Sequence, residues 1–304
     1  MTTDQPTPGD VDRETSSPLE PVPMEAVPPP ERRTRAGRNL PAAIAVGIAL
    51  AALVLASLYT EKVAFVGLVV IAVSLALWEL TNAFHAGGIR LPVVPLVVGA
   101  WAIIISAYAG GAEAMLVGLM LTVLATMLWR LPESPRGYVR DVTAGVFATM
   151  YVPFLAAFAA LLVRADDGAD RVVVFVLLTV LSDVGGYATG VFFGRHPMAP
   201  RVSPKKSWEG FAGSAVFSAV GGAVAMPLLL GGPAWAGAVT GLAVMTAATL
   251  GDLGESMIKR DLDIKDMGSL LPGHGGLMDR LDSLLLGAPV AYLLLGWLAP
   301  VPGA

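Results

Sequence analysis

Nine stretches of this chain are apolar for about the 20 residues that a helix needs to cross the hydrocarbon core of a bilayer. They run over residues 40–59, 63–84, 91–108, 112–129, 142–163, 172–193, 210–231, 234–256 and 282–300. Lipid offers no water to an open strand edge, so such stretches cross as helices or as a closed barrel. A barrel strand alternates apolar and polar residues over about ten positions, and these runs do not alternate. The sequence therefore predicts an all-α fold, a polytopic transmembrane helical bundle of about nine spans. Composition agrees: 55% of the residues are hydrophobic and 14% charged, against about 25% charged in a soluble domain.

Lysine and arginine set the direction of threading. With the N-terminus cytoplasmic, 17 of the 20 basic residues fall on the cytoplasmic side, and only Lys62, Arg164 and Arg171 fall on the other. Residues 1–39 form a separate region. They hold eight prolines in the first thirty positions, with seven acids and five arginines before residue 40. Such a segment cannot bury enough apolar surface to offset its ordering entropy, and is expected to be a disordered cytoplasmic tail. It lacks the basic start and apolar core of a signal peptide. Cysteine is absent, which excludes disulfides, thiolate metal sites and a cysteine nucleophile.

Two cytoplasmic loops carry the chemistry, from Gly194 to Glu209 and from about Met257 to Leu281. Asp252 sits at the end of span eight, and on a helix Ser256 and Lys259 share its face. Asp279 and Asp282 open span nine, where a helix N-terminus favours negative charge. Two carboxylates on adjacent helix ends, with cations between them, suit a hard divalent ion bridging to phosphates. Asp252 and Asp279 are thus the candidate metal ligands, and Mg²⁺ the candidate ion. The Pro272-Gly273-His274-Gly275-Gly276 turn offers backbone N–H groups to phosphate oxygens. In the first loop Ser203-Pro204-Lys205-Lys206-Ser207 puts adjacent lysines at the membrane surface, where they can neutralise a triphosphate or an anionic lipid head group. Topology alone also places basic residues there. Asp183 lies within span six, flanked by Ser182, Gly185, Gly186 and Tyr187. A carboxylate at that depth costs several kcal/mol and marks a pathway or a site; a packing hydrogen bond between helices is the bland alternative. His85 and His196 read as solvated loop residues.

These residues resemble a known family. Ser256-x-Ile258-Lys259-Arg260, Lys265-Asp266-x-Gly268, Leu271-Pro272-x-His274-Gly275-Gly276-Leu277 and Asp279-Arg280-Leu281-Asp282 follow one another as in the signature of the phosphatidate cytidylyltransferases. Asp183-x₃-Tyr187-x₂-Gly190-x₂-Phe193-Gly194 and Ser203-Pro204-Lys205-Lys206-Ser207-x-Glu209-Gly210 resemble the family's other recurrent region, with Ser207 for the usual threonine and Gly186 for the usual alanine. The resemblance covers residues 140–300, and residues 40–304 are read as the enzymatic domain. It implies that CTP and phosphatidic acid are converted to CDP-diacylglycerol and pyrophosphate in phospholipid biosynthesis. It further implies Mg²⁺ on Asp252 and Asp279, a monovalent cation such as K⁺, a homodimer in the plasma membrane and a cytoplasmic active site. Nucleic acid is not an expected partner.

Asp252, Asp279, Lys259 and His274 are the expected catalytic residues. His274 could bond a phosphate oxygen, act as an acid or order its turn. Substrate contacts are expected from Asp183, Ser203, Lys205, Lys206, Ser256, Arg260, Lys265, Asp266, Gly275, Gly276 and Arg280. Three other readings stand beside this one, the first a cytidylyltransferase that uses an ether or isoprenoid phosphatidate. A CTP-dependent kinase of a lipid alcohol would use similar parts. A transporter would use Asp183 as a coupling site, although no internal repeat of the kind common in transporters is evident. A CDP-alcohol phosphotransferase is excluded, because its run of aspartates is absent.

Overall fold

The computed structural model describes residues 40–268 and 276–299. The proline-rich segment 1–39, His274 and Gly275 lie outside those residues. In chain order the elements are α1 (Leu40–Thr60), α2 (Lys62–Ala86), α3 (Val93–Trp129), α4 (Tyr138–Thr149), α5 (Leu155–Arg164) and α6 (Gly168–Phe193). A hairpin of β1 (Pro197–Ala199) and β2 (Ser203–Ser207) follows, then α7 (Trp208–Leu229), α8 (Ala234–Asp261) and α9 (Met278–Leu298).

Among the described residues, 7 helices are long and apolar enough to cross a membrane: α2, α3, α4 continued into α5, α6, α7, α8 and α9. Two features separate this count from the nine stretches of the sequence. Of α1, the segment Gly47–Thr60 qualifies only as a shorter apolar helix. The other is α3, which joins two expected spans through one residue, Gly111, at φ 78° and ψ −162°. That left-handed φ is open to glycine at little cost. The two arms of α3 then run back along each other. Thr122 fills the space over Gly99, and the Ile103 backbone lies against Gly118.

Between α4 and α5 the chain makes a π-turn over Met150–Phe154 around Pro153. Proline has no N–H to give to the preceding turn, so the helix widens by one residue there instead of breaking. The core lies where α2, α3 and α5 meet, with Leu77, Leu80, Leu96, Ile103, Ile104 and Leu162 fully buried. Ile71, Leu75, Val98, Leu121, Val220 and Leu228 point outward and stay exposed. An outward apolar belt of that extent suits lipid, where association rests on close packing and not on hiding apolar surface from water. The tightest crossing joins α7 to α8, where Gly222 and Gly237 lie against each other's carbonyl groups. Ser214 Oγ and Ser218 Oγ of α7 donate across to the carbonyls of Ser182 and Leu178 in α6, at 2.6 and 3.2 Å.

The chain is all-helical as expected, with one small addition among the described residues, the β1–β2 hairpin. Its strands pair antiparallel, with Pro197 opposite Ser207 and Ala199 opposite Ser203. Prolines at 197, 200 and 204 deny this loop a helix. An isolated two-stranded hairpin is marginal, and here the start of α7 supports it. Glu209 accepts the backbone N–H groups of Arg195 and His196 at 3.1 and 3.2 Å, and its Oε1 pairs with His196 Nδ1 at 2.6 Å. His196 is therefore an exposed residue with a defined partner, more than the solvated side chain expected of it.

Candidate active site

The cavity of interest opens at the end of α6 that leads into the hairpin, and holds about 350 Å³. α6 contributes Ser182, Asp183, Gly186 and Tyr187, and the hairpin contributes Ser203, Lys205, Lys206 and Ser207. Ser214 of α7, Thr249 and Asp252 of α8, and Ser283 of α9 complete the polar wall. Local structure explains why these meet. Ser207 caps α7, its Oγ accepting the Gly210 N–H at 3.1 Å, so the chain turns directly from β2 into the helix. Gly186 and Gly210 leave no side chain between α6 and α7, and the hairpin can fold over the cavity mouth.

Lys206 Nζ reaches Asp252 Oδ2 at 2.6 Å, and Ser256 Oγ donates to Asp252 Oδ1 at 3.4 Å. A second set of charges lies beside this one, where α8 meets α9. Lys259 Nζ pairs with Glu255 Oε2 and Asp279 Oδ1, each at 2.8 Å. Asp279 also accepts the backbone N–H groups of Gly276 and Met267, at 2.8 and 3.3 Å. Asp282, one turn further on, is buried and accepts the Ser283 N–H at 2.6 Å. Asp183 feels the charges of Asp252, Lys206 and Arg280, and Glu255 those of Asp282, Lys259 and Asp279.

The expected site residues thus fall into groups. Asp183, Ser203, Lys205, Lys206 and Asp252 line the cavity, and Ser256 braces Asp252. Lys259, Gly276 and Asp279 form the adjacent charged layer. Arg260 instead ties α8 to the hairpin, its Nε donating to the Val202 carbonyl at 3.5 Å. Lys265 and Asp266 are exposed after the end of α8 and do not line the cavity. Ser214, Thr249 and Ser283 were not expected. They are small hydroxyl residues within apolar helices, and neither their spacing nor their charge singles them out.

The donor set suits a hard divalent cation. Asp252 lies inside α8 and Asp279 at the start of α9, and Glu255 Oε1 is a buried oxygen with no hydrogen-bond donor among the described residues. Among the described residues no three acidic or histidine side chains form a cage of their own. Mg²⁺ is commonly held by one or two carboxylates that leave its other positions to phosphate oxygens and water.

Apolar helices around a charged, hydroxyl-lined cavity define a multi-pass α-helical membrane protein. The model of the cytidylyltransferase family matches residues 41–298, and the chain belongs to that family. It is 41% identical over 280 residues to a phosphatidate cytidylyltransferase of Mycobacterium bovis, covering 88% of this chain and 92% of that protein. It is 44% identical over 277 residues to one of Mycobacterium leprae, covering 86% and 89%. A Brucella suis protein of the same name is 35% identical over 178 residues, covering 58% and 64%. The resemblance carried by the two loop motifs is borne out.

Proposed function

We propose that the chain transfers the cytidylyl group of CTP to phosphatidic acid, giving CDP-diacylglycerol and pyrophosphate. One observation carries the reading in a chain of this family: the Ser203–Ser207 motif strand and Asp252 of α8 border one cavity, and Lys206 reaches Asp252 across it.

A phosphate oxygen of phosphatidic acid attacks the α-phosphorus of CTP. The new P–O bond forms as the bond to the bridging oxygen of the β-phosphate breaks, and pyrophosphate leaves. A phosphate monoester is largely dianionic at neutral pH, so no strong general base is needed. The barrier falls by alignment and by neutralising oxygen charge. Lys205 and Lys206 take phosphate oxygens at the cavity mouth, and Lys206 can leave Asp252 to do so. Lys259 and Arg280 stand ready from the adjoining layer. Asp183 and the hydroxyls of Ser203 and Thr249 orient the polar part of the substrate. Asp252 and Asp279 would hold Mg²⁺, which supplies positive charge to phosphate oxygens, with a monovalent cation such as K⁺ assisting.

The same reading sets the surroundings. The two arms of α3 count as separate crossings, and with α1 they bring the total to nine. The basic residues then put the N-terminus and the cavity mouth on the cytoplasmic face of the plasma membrane, where water-borne CTP meets a lipid that keeps its acyl chains in the bilayer. The family resemblance supports a homodimer.

The test is incubation of the detergent-purified protein with radiolabelled CTP, Mg²⁺ and phosphatidic acid. Lipid-linked CMP with released pyrophosphate is the expected result. A phosphorylated lipid alcohol with accumulating CDP would assign a kinase instead, and no product with any lipid would point to transport.

A further inference from the structure

Glu79 is the only acidic residue of α2 and is almost wholly buried, 1% exposed, between apolar neighbours. Its Oε2 accepts the backbone N–H of Met278, the first residue of α9, at 2.9 Å. Oε1 is buried and has no hydrogen-bond donor among the described residues. Two glycines close over the same carboxylate. A methyl group at Gly268 would be driven into Oε1, and one at Gly276 would come within 2.8 Å of Oε2 and 2.9 Å of Asp279 Oδ2.

The first N–H groups of a helix lack partners within it, and local side chains normally cap them. Here the cap comes from 199 residues earlier in the chain. A buried carboxylate costs several kcal/mol in an apolar span, and an alanine would pack α2 without that cost. What the carboxylate gains is a hold on the helix start that carries Asp279 and Arg280, and on Gly268 and Gly276.

We propose that Glu79 is a positioning residue for the reaction: it fixes the N-terminus of α9 against Gly268 and Gly276, and so the orientation of Asp279 and Arg280. The proposal rests on the cytidylyl-transfer reading. Loosening a phosphate-handling group harms the aligned transition state more than ground-state binding. A misplacement of about 1 Å costs on the order of 100-fold in rate.

The experiment compares the parent protein with E79Q, E79A, E79D, G268A and E79A/G268A, each purified in detergent and checked for folding by gel filtration and thermal melting. In E79A, kcat is expected to fall about 30- to 100-fold while KM for CTP changes less than about threefold. E79Q keeps an acceptor for the Met278 N–H and should stay within about fivefold of the parent. G268A should lose activity alone, yet E79A/G268A should be no worse than E79A, because the atoms that collide are gone. Amide exchange at Met278 should speed up at least about tenfold in E79A, a reading that needs no assay of the reaction.

Parent-like kcat in E79A, losses that multiply in the double variant, or unchanged exchange at Met278 would each overturn the proposal. So would a lowered melting temperature with unchanged kcat. If E79A does not fold, E79D carries the same expectation, since its shorter side chain withdraws from Met278; parent-like kcat there counts against it equally. A parent protein that forms no CDP-diacylglycerol would strike the functional reading instead, and the exchange measurement would still decide whether Glu79 holds α9.

Discussion

Lys206 Nζ and Asp252 Oδ2 stand 2.6 Å apart, and this pair joins the hairpin to α8 across the cavity. Its counterpart, Lys259 with Asp279 at 2.8 Å, joins α8 to α9. The two pairs differ in exposure. The Asp252 side chain is 38% exposed and the Asp279 side chain 11%. An exposed ion pair is held by about 1 kcal/mol or less, so Lys206 and Asp252 can separate when phosphates arrive. Asp279 is held by Lys259 and two backbone amides, and is set in place before any substrate binds.

Asp252→Asn and Asp279→Asn should therefore both be inactive, for different reasons. Each variant is expected to lose more than about 1000-fold in kcat/KM, the scale seen when a key electrostatic contact to the transition state is removed. D252N should melt like the parent, while D279N should melt lower because it weakens the Lys259 bridge. Steady-state kinetics and melting curves in detergent check both, and near-normal turnover in either variant would end its catalytic assignment.

The neighbouring lysines should be unequal. Lys206 bridges to Asp252, whereas Lys205 only lines the cavity. Lys206→Ala is expected to lower kcat/KM for CTP about 100-fold, and Lys205→Ala about tenfold, on the scale of charge-assisted contacts to phosphate. Equal losses would mean that the pair serves as a diffuse basic surface.

A buried ion pair away from the cavity should govern stability instead. Arg130 Nη2 and Asp141 Oδ2 are 2.8 Å apart, with both side chains at most 5% exposed, and Asp141 also accepts the Arg90 N–H at 3.2 Å. Removing Asp141 leaves the buried Arg130 with only the more exposed Glu133 as its carboxylate partner, a cost of about 3 kcal/mol. Asp141→Ala should melt far below the parent, and Arg130→Met with Asp141→Leu should regain at least half of the loss. Thermal unfolding of the three proteins decides it, and a double variant as unstable as the single would contradict the argument.

Every residue of the two loop motifs lies after residue 182, well away in sequence from the proline-rich segment ahead of α1. Deleting residues 1–38 is expected to leave kcat and KM unchanged. A large loss in a folded, membrane-inserted truncation would assign that segment a role in the reaction.

Much of this was legible in the sequence, because bilayer thickness and the burial of backbone polar groups leave few folds open to such apolar runs. The loop motifs named Asp183, Lys206, Lys259 and Asp279 before any contact was visible, since a charge at such places has a cost that needs a reason. Glu79 meets the same criterion, a carboxylate inside an apolar run, yet no loop motif points to it and its partner is a backbone N–H, which leaves no trace in sequence. The β1–β2 hairpin was hidden because strands of three and five residues held by a neighbouring helix carry little periodicity of their own. The cavity hydroxyls of Ser214, Thr249 and Ser283 look like ordinary helix-packing residues until their neighbours are known. Gly111 could be read as a loop residue, but not as a reversal made by one residue.

The α7–α8 crossing gives the last prediction. A methyl group added at Gly222 would meet the Gly237 carbonyl, which is backbone and cannot swing away. Gly222→Ala should force the helices apart, at about 1–3 kcal/mol for overpacking. Gly67 of α2 has nothing within 4 Å of the same added group, so Gly67→Ala should be neutral or stabilising by about 0.5–1 kcal/mol through its helix preference. Because α7 begins at the hairpin and α8 carries Asp252, Gly222→Ala should also lower turnover, though less than any substitution at Asp252. Melting curves of the two variants in one detergent separate packing from propensity: a parent-like Gly222→Ala would mean that α7 and α8 can slide apart without loss.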